Sequence, residues 1–211
     1  MKRKIEKALK YPDGYIKLPH PLKYDVSGDP RNDYQYCTLL MEHAKECERA
    51  LEIGSSIGIS SRHIAEGLPE DGLLICVDIC TNYVDPKVFH AIRDYKSNIH
   101  TLEMNSCVAE DDVKALLKGH LLDMLYIDAT HDFNWAYGEY LRYRKLVKHG
   151  GIIFFDDLNL HPQMEFLWKS IKEEKHRHDE LHWTGFGYVV KDDNITPAGW
   201  ETLIPDCPPL N

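Results

Sequence analysis

The stretch Arg49-Ala-Leu-Glu-Ile-Gly-Ser-Ser-Ile-Gly-Ile-Ser60 decides how the rest of the chain is read. A short apolar run ends in an acid, and Gly54 and Gly58 follow before a helix-like segment begins. Glycines there let the backbone turn sharply and approach a ligand closely. A pyrophosphate would favour a tighter Gly-x-Gly-x-x-Gly turn with no acid beside it. Glu52 repels a diphosphate and attracts an amine or a sulfonium, so the loop suits a positively charged small-molecule cofactor.

Outward from this turn, strand and helix patterns alternate. Strands are predicted over residues 50–53, 73–79, 99–104, 122–127 and 151–155. Helices are predicted over 60–67, 86–95, 109–118, 133–147 and 164–174, with an earlier helix at 33–46 capped by Asn32 or Asp33. The five strands are continuous apolar runs, as in strands covered on both faces. Repeated strand–helix units imply right-handed crossovers and a parallel sheet. Two closing strands, at 180–183 and 187–191, lack a helix between them and predict a hairpin. The expected fold is α/β: a doubly wound, mostly parallel, seven-stranded Rossmann-like sheet with a C-terminal antiparallel hairpin strand. One domain is expected over 33–193, preceded by an arm or lid (1–32) and followed by an irregular tail (194–211).

Bulk properties narrow the partners. The net charge of −9 over 211 residues argues against nucleic acid, which wants a basic face. Met1-Lys-Arg-Lys4 is read as a solvated terminus. No apolar run is long enough to span a bilayer, and no secretory leader pattern is present. None of the six cysteines forms a Cys-x-x-Cys pair. They are read as reduced thiols, which implies a cytoplasmic protein. The expected partner is a small-molecule acceptor; a homo-oligomer stays open.

In open parallel sheets, ligands bind beyond the carboxyl ends of the strands. Those ends carry Glu52-Ile-Gly54, Asp78-Ile79, Asn105-Ser106, Asp128 and Asp156-Asp157. Asp78 can accept two ribose hydroxyls, and Asn105 can pair with an adenine edge. The candidate cofactor residues are Glu52, Gly54, Ser55, Ser56, Gly58, Asp78, Ile79, Asn105, Ser106 and Asp128.

On these motifs the chain resembles the class I S-adenosylmethionine-dependent methyltransferases over nearly all of residues 33–191. Glu52-Ile-Gly54-Ser-Ser-Ile-Gly58 is similar to that family's first motif, and Val77-Asp78 to its second-strand acid. One departure is Ser56, where the family has its middle glycine. The exchange is tolerable if this position needs no positive φ.

Asp128, Asp156 and Asp157 close neighbouring strands and are expected to converge. Two carboxylates ~4 Å apart repel by about 4 kcal/mol at an effective dielectric near 20. Three together need protons or a cation, and oxygen ligands suit Mg²⁺ or Mn²⁺. Asp128, Asp156 and Asp157 are therefore the candidate metal ligands.

Tyr126-Ile-Asp128-Ala-Thr-His131, followed by a helix and Gly150-Gly-x-x-x-x-Asp156-Asp157, narrows the resemblance to the metal-dependent macrocin and sugar O-methyltransferase group and its uncharacterised relatives. Catechol-type enzymes have a comparable arrangement. The resemblance implies a divalent ion on these three acids. Sugar methyltransferases of this type carry a second acid two residues after the first, proposed as general base. Thr130 stands there in this chain and cannot act as a base near neutral pH. His131, with a suitable intrinsic pKa, is the candidate base beside Asp128 as a second catalytic residue.

Asn159 and His161 follow the fifth strand within reach of an acceptor, though each suits a plain surface loop. Tyr11, Tyr15, Tyr24 and Tyr36 have the composition of an aromatic lid. Three other readings compete: a nicotinamide-dependent oxidoreductase, a hydroxylase with iron on Asp128, His131 and Asp156, and a non-catalytic S-adenosylmethionine-binding protein. The acidic first loop argues against the first, and the acid cluster argues against the last.

Overall fold

A computed structural model describes residues 35–56, 58–79 and 98–197. The expected arm, the helix at 86–95, the caps Asn32 and Asp33, Tyr11, Tyr15, Tyr24, Cys80, Cys207 and most of the tail lie outside the described residues.

The element order is α1 (Gln35–Ala44), β1 (Arg49–Ile53), α2 (Ile59–Gly67), β2 (Leu73–Asp78), β3 (Ile99–Glu103), α3 (Glu110–Leu117), β4 (Leu122–Ile127), α4 (Phe133–Arg144), β5 (Val147–Phe155), α5 (Pro162–Ser170), β6 (Glu174–Arg177) and β7 (Gly187–Val190). The seven strands form one sheet in the order β3-β2-β1-β4-β5-β7-β6. β1 to β5 are parallel, and β7 is antiparallel to both β5 and β6. The order reverses between β1 and β4, which makes that crevice the natural ligand position.

Alternation within each strand feeds two cores. Leu73, Ile75 and Val77 of β2 join Leu51, Ile53, Leu125, Ile127, Ile153 and Phe155 on the face covered by α3, α4 and α5. Leu74 and Cys76 join Met124, Tyr126 and Phe154 on the opposite face, against α1 and α2. The latter two helices pack tightly, because a Cβ on Gly67 would lie 2.3 Å from the Met41 carbonyl oxygen. β1, β2 and β4 are mostly apolar because both their faces are buried, whereas β3, expected as a further apolar run, is Ile-His-Thr-Leu-Glu and only part-buried because it lies at the sheet edge.

The hairpin partner of β7 lies earlier in the chain than the sequence predicts. Residues 180–183 form a turn, and the hairpin partner of β7 is β6 at Glu174–Arg177. α5 ends at Ser170, short of the predicted 174. Glu-Lys-His-Arg has no apolar residue, since β6 is an edge strand whose side chains are largely solvated. Neither strand nor helix period shows in such a sequence. β5 also begins earlier than expected, at Val147, with an irregularity in its register opposite Leu122 and Met124. Gly150 takes φ +75 there.

Candidate active site

The backbone ladder carries the first loop directly onto the fourth strand. Asp128 N donates to Ile53 O at 2.9 Å, and Gly54 N donates to Val77 O at 2.8 Å. Gly54 has φ +89, and a Cβ on it would lie 2.1 Å from the Asp128 carbonyl oxygen. Glycine is required here by both conformation and space. Gly58, at φ +85, caps α2 without a side-chain hydrogen bond.

Ser56 does take a positive φ, +43. The position therefore calls for the family's glycine, and serine accepts strain of about 1–2 kcal/mol. Its backbone N–H donates to Asp78 Oδ2 at 2.7 Å, which ties the glycine loop to the end of β2. Ile79, next along, is exposed at the same edge.

Two expected cofactor residues are turned inward. Glu52 is fully buried and accepts a hydrogen bond from Ser61 on α2. Burial pushes its carboxyl above the ordinary value, although neighbouring serines oppose the shift. It pairs in register with Cys76 and Tyr126, so it faces the α1–α2 side beneath the loop. Ser106 donates to the buried Glu139 at 2.6 Å, and burial raises the Glu139 carboxyl to about 7. Ser55 is buried within the loop. Asn105 Oδ1 accepts from Cys107 N at 2.8 Å in a local turn.

The three acids do converge. Tyr126 pairs with Phe154 across β4 and β5, so Asp128 and Asp156, each two residues on, emerge on the same side of adjacent strands. Successive strand residues point to opposite faces, and Asp157 alone would be aimed away. A left-handed turn, φ +57, brings its carboxylate back to the cluster. Such strain in a residue other than glycine is typical of functional sites.

Two unforeseen side chains complete the cluster. Tyr126, fully buried, places its Oη 2.8 Å from Asp156 Oδ2 and 3.0 Å from Asp128 Oδ2. A phenol has one proton, so it donates to one acid at a time. The other contact needs a carboxylic acid donating to Oη. Burial first, and then the Asp156 charge, push the Asp128 carboxyl well above the usual range. His182 is the second: its Nδ1 lies 2.7 Å from Asp156 Oδ1, and its ring packs on Tyr36 at 4.6 Å between centroids.

His131 bridges the other pair, with Nδ1 2.9 Å from Asp157 Oδ2 and Nε2 3.5 Å from Asp128 Oδ1. Burial works against its charged form. Hydrogen bonds and charges from Asp128 and Asp157 outweigh burial and raise the imidazole to about 10. Burial also opposes the Asp157 carboxylate, but bonds from His131 and Thr184 hold it below its ordinary value. Asp128, His131 and Asp157 form one set of metal-competent donors, and Asp156, Asp157 and His182 form a second. The donors are carboxylate oxygens and imidazole nitrogens, and they fit a divalent cation.

The place of His182 follows from the direction of β7. An antiparallel strand enters the sheet where the parallel strands leave it, and Gly187 pairs with Phe155. Residues just before β7 therefore lie at the ligand edge. Tyr126 carries no such signal in the sequence, because a tyrosine within an apolar strand reads as core. Asn159 and His161 serve the scaffold: Asn159 accepts from Arg177, and His161 caps α5 through Gln163 N at 3.2 Å.

With this geometry in view, similarity to known proteins becomes informative. A family model described as a methyltransferase domain matches residues 51–158, just over half of the chain. The chain is 29% identical over 131 residues to "Probable caffeoyl-CoA O-methyltransferase 3" of Dictyostelium discoideum, covering 60% of this chain and 50% of that protein. It thus spans about half the length of the curated relative it matches. An O-methyltransferase from Bacillus cereus in complex with SAH superposes with a TM-score of 0.60 at 17% identity, covering 90% of this chain and 91% of that one. The O-methyltransferase TomG from Streptomyces achromogenes, in complex with SAM, gives 0.58 at 17% identity, covering 90% and 88%. These structures share the fold: a seven-stranded sheet with helices on both faces and an antiparallel hairpin at one edge. By its family match, its first-loop motif and this sheet, the chain belongs to the methyltransferase-domain family of class I, S-adenosylmethionine-dependent enzymes.

Proposed function

We propose that the protein transfers the methyl group of S-adenosylmethionine to a hydroxyl of a small molecule, assisted by a divalent cation, Mg²⁺ or Mn²⁺, on Asp128, Asp156 and Asp157. One observation carries the reading. The Gly54 turn abuts the Asp128 backbone, so the loop suited to the methyl donor and the acid cluster share one edge. The relatives' names, which describe O-methyltransferases, support oxygen as the acceptor atom.

The residues divide the work. Asp78 and Asn105, at the ends of β2 and β3, suit the ribose hydroxyls and the adenine edge. Gly54, Ser55, Ser56 and Gly58 shape the loop. Glu52 acts from below, holding the loop to α2 through Ser61. When bound, the cation lowers the pKa of an acceptor hydroxyl. His131 is an imidazolium while Asp128 and Asp157 both attract its proton. Once their charge is neutralised, the same ring can accept a proton from the acceptor. Positioning and electrostatics supply most of the acceleration.

The acceptor in this reading is a small hydroxylated compound, since an acidic chain disfavours a nucleic-acid acceptor. Calorimetric titration with S-adenosylmethionine, S-adenosylhomocysteine and NAD⁺, each with and without Mg²⁺, tests the cofactor. Micromolar binding of the two adenosyl ligands but not NAD⁺ is expected. No adenosyl binding under any condition refutes the proposal.

A further inference from the structure

His182 is assigned no part in the reaction above, yet it is built into the acid cluster. It comes from the β6–β7 connection, far in sequence from the β4 and β5 ends. The backbone delivers it there: Leu158 N donates to Gly185 O at 3.0 Å, closing that loop over the end of β5. Its ring is half-buried and held by Tyr36 on one face and Thr184 Oγ1 at 2.9 Å from Nδ1. An imidazole this constrained loses little entropy on taking a ligand position.

The spacing suits shared coordination. For bonds of about 2.1 Å in an octahedron, neighbouring donors lie about 3 Å apart and opposite donors about 4.2 Å apart. His182 Nδ1 is 2.7 Å from Asp156 Oδ1. The ligand atoms of Asp156, Asp157 and His182 all fall within 4.8 Å of one another. Magnesium prefers oxygen donors and water, whereas imidazole favours first-row transition ions.

We propose that His182 is a direct ligand of the divalent ion, and that its nitrogen tunes the site to manganese or a later transition ion over magnesium. This rests on the metal-assisted reading of the Asp128–Asp156–Asp157 cluster. The competing role is that of a hydrogen-bonding partner that merely orients Asp156.

Pulsed electron paramagnetic resonance separates the two roles, with Mn²⁺ alone as probe on the full chain. A ligated imidazole gives a direct ¹⁴N hyperfine coupling, which a hydrogen-bonded ring outside the coordination sphere does not. His131 and His182 are the imidazoles of the two candidate donor sets. The coupling is expected in the wild type and in His131→Gln, and is lost in His182→Gln. The His131→Gln spectrum decides the point even if His182→Gln folds poorly. Calorimetry is expected to show Mn²⁺ binding roughly tenfold tighter than Mg²⁺. Mn²⁺ bound without ¹⁴N coupling, or coupling that disappears in His131→Gln, overturns the assignment and leaves the metal-assisted reading standing. Failure of the wild type to bind either ion overturns both.

Discussion

The carbonyl oxygen of Asp128 occupies the space that a side chain on Gly54 would need: a Cβ there would lie 2.1 Å away, at a φ of +89. Loop and acid cluster are therefore one mechanical unit. Gly54→Ala is expected to push the β1 turn off the β4 end and weaken S-adenosylmethionine binding by about ten- to a hundredfold, since each 1.4 kcal/mol is tenfold. Titration calorimetry of the variant checks this. Wild-type affinity would mean the loop does not hold the cofactor.

Burial, and then the Asp156 charge, work against the ionised form of Asp128. Asp128→Asn removes a proposed ligand carboxyl and is expected to lower methyl transfer by about a hundredfold or more. In chelator above about pH 8, where the buried Asp128 carboxyl ionises, the same variant is expected to melt a few degrees higher, because relief of about 1 kcal/mol shifts a domain of this size by about 2–4 °C. Turnover assays and thermal melts in EDTA measure both. Full turnover would remove Asp128 from the mechanism.

The pH dependence of the metal-free protein follows from His131. Its folded-state pKa is raised to about 10. The stabilisation from its imidazolium is thus complete below about pH 6.5 and lost as pH rises through the folded value. The raised Asp128 carboxyl acts in the same direction. Melting temperature in EDTA is expected to fall from about pH 6.5 towards 10, and His131→Gln is expected to flatten the curve. A rise over that window would contradict the His131–Asp157 pairing.

Away from the site, Arg144 Nε binds Glu173 Oε1 at 2.6 Å, and the Glu173 side chain has no exposure. Tyr140 donates to the same oxygen at 2.6 Å. Arg144 also holds the chain after β7, donating to the carbonyls of Asp192 at 2.7 Å and Ile195 at 2.8 Å. Arg144→Met strands a buried carboxylate and is expected to cost about 3–5 kcal/mol. Urea unfolding of Arg144→Met against the double variant with Glu173→Leu checks it, since the double variant is expected to recover much of the loss.

Serine at position 56 tests the strain argument. Ser56→Gly relieves the positive φ but loosens the unfolded chain, so it is expected within about 1 kcal/mol of wild type. Ser56→Val places a branched side chain at that φ and is expected to destabilise by about 1–2 kcal/mol. A stable valine variant would show that the loop relaxes.

Much of the fold was legible because burial on both faces writes long apolar runs into β1, β2, β4 and β5. β6 was not, because an edge strand needs no apolar residue to pair. Of the site, Asp128, Asp156 and Asp157 were legible from their place at strand ends. Glu52 and Ser106 were assigned to the cofactor from that same rule, but their side chains turn into the interior, and strand position does not fix which way a side chain finds its partner.

The sequence by itself determined the parallel sheet, the glycine turn and the acids at its carboxyl edge, because periodicity and chain order are local properties. Only the tertiary structure decided that Asp157 swings back by a left-handed turn, that Tyr126 holds Asp128 and Asp156 together, and that His182 arrives from the far hairpin. Those relations depend on register between strands distant in sequence, and on backbone angles set by what packs around them.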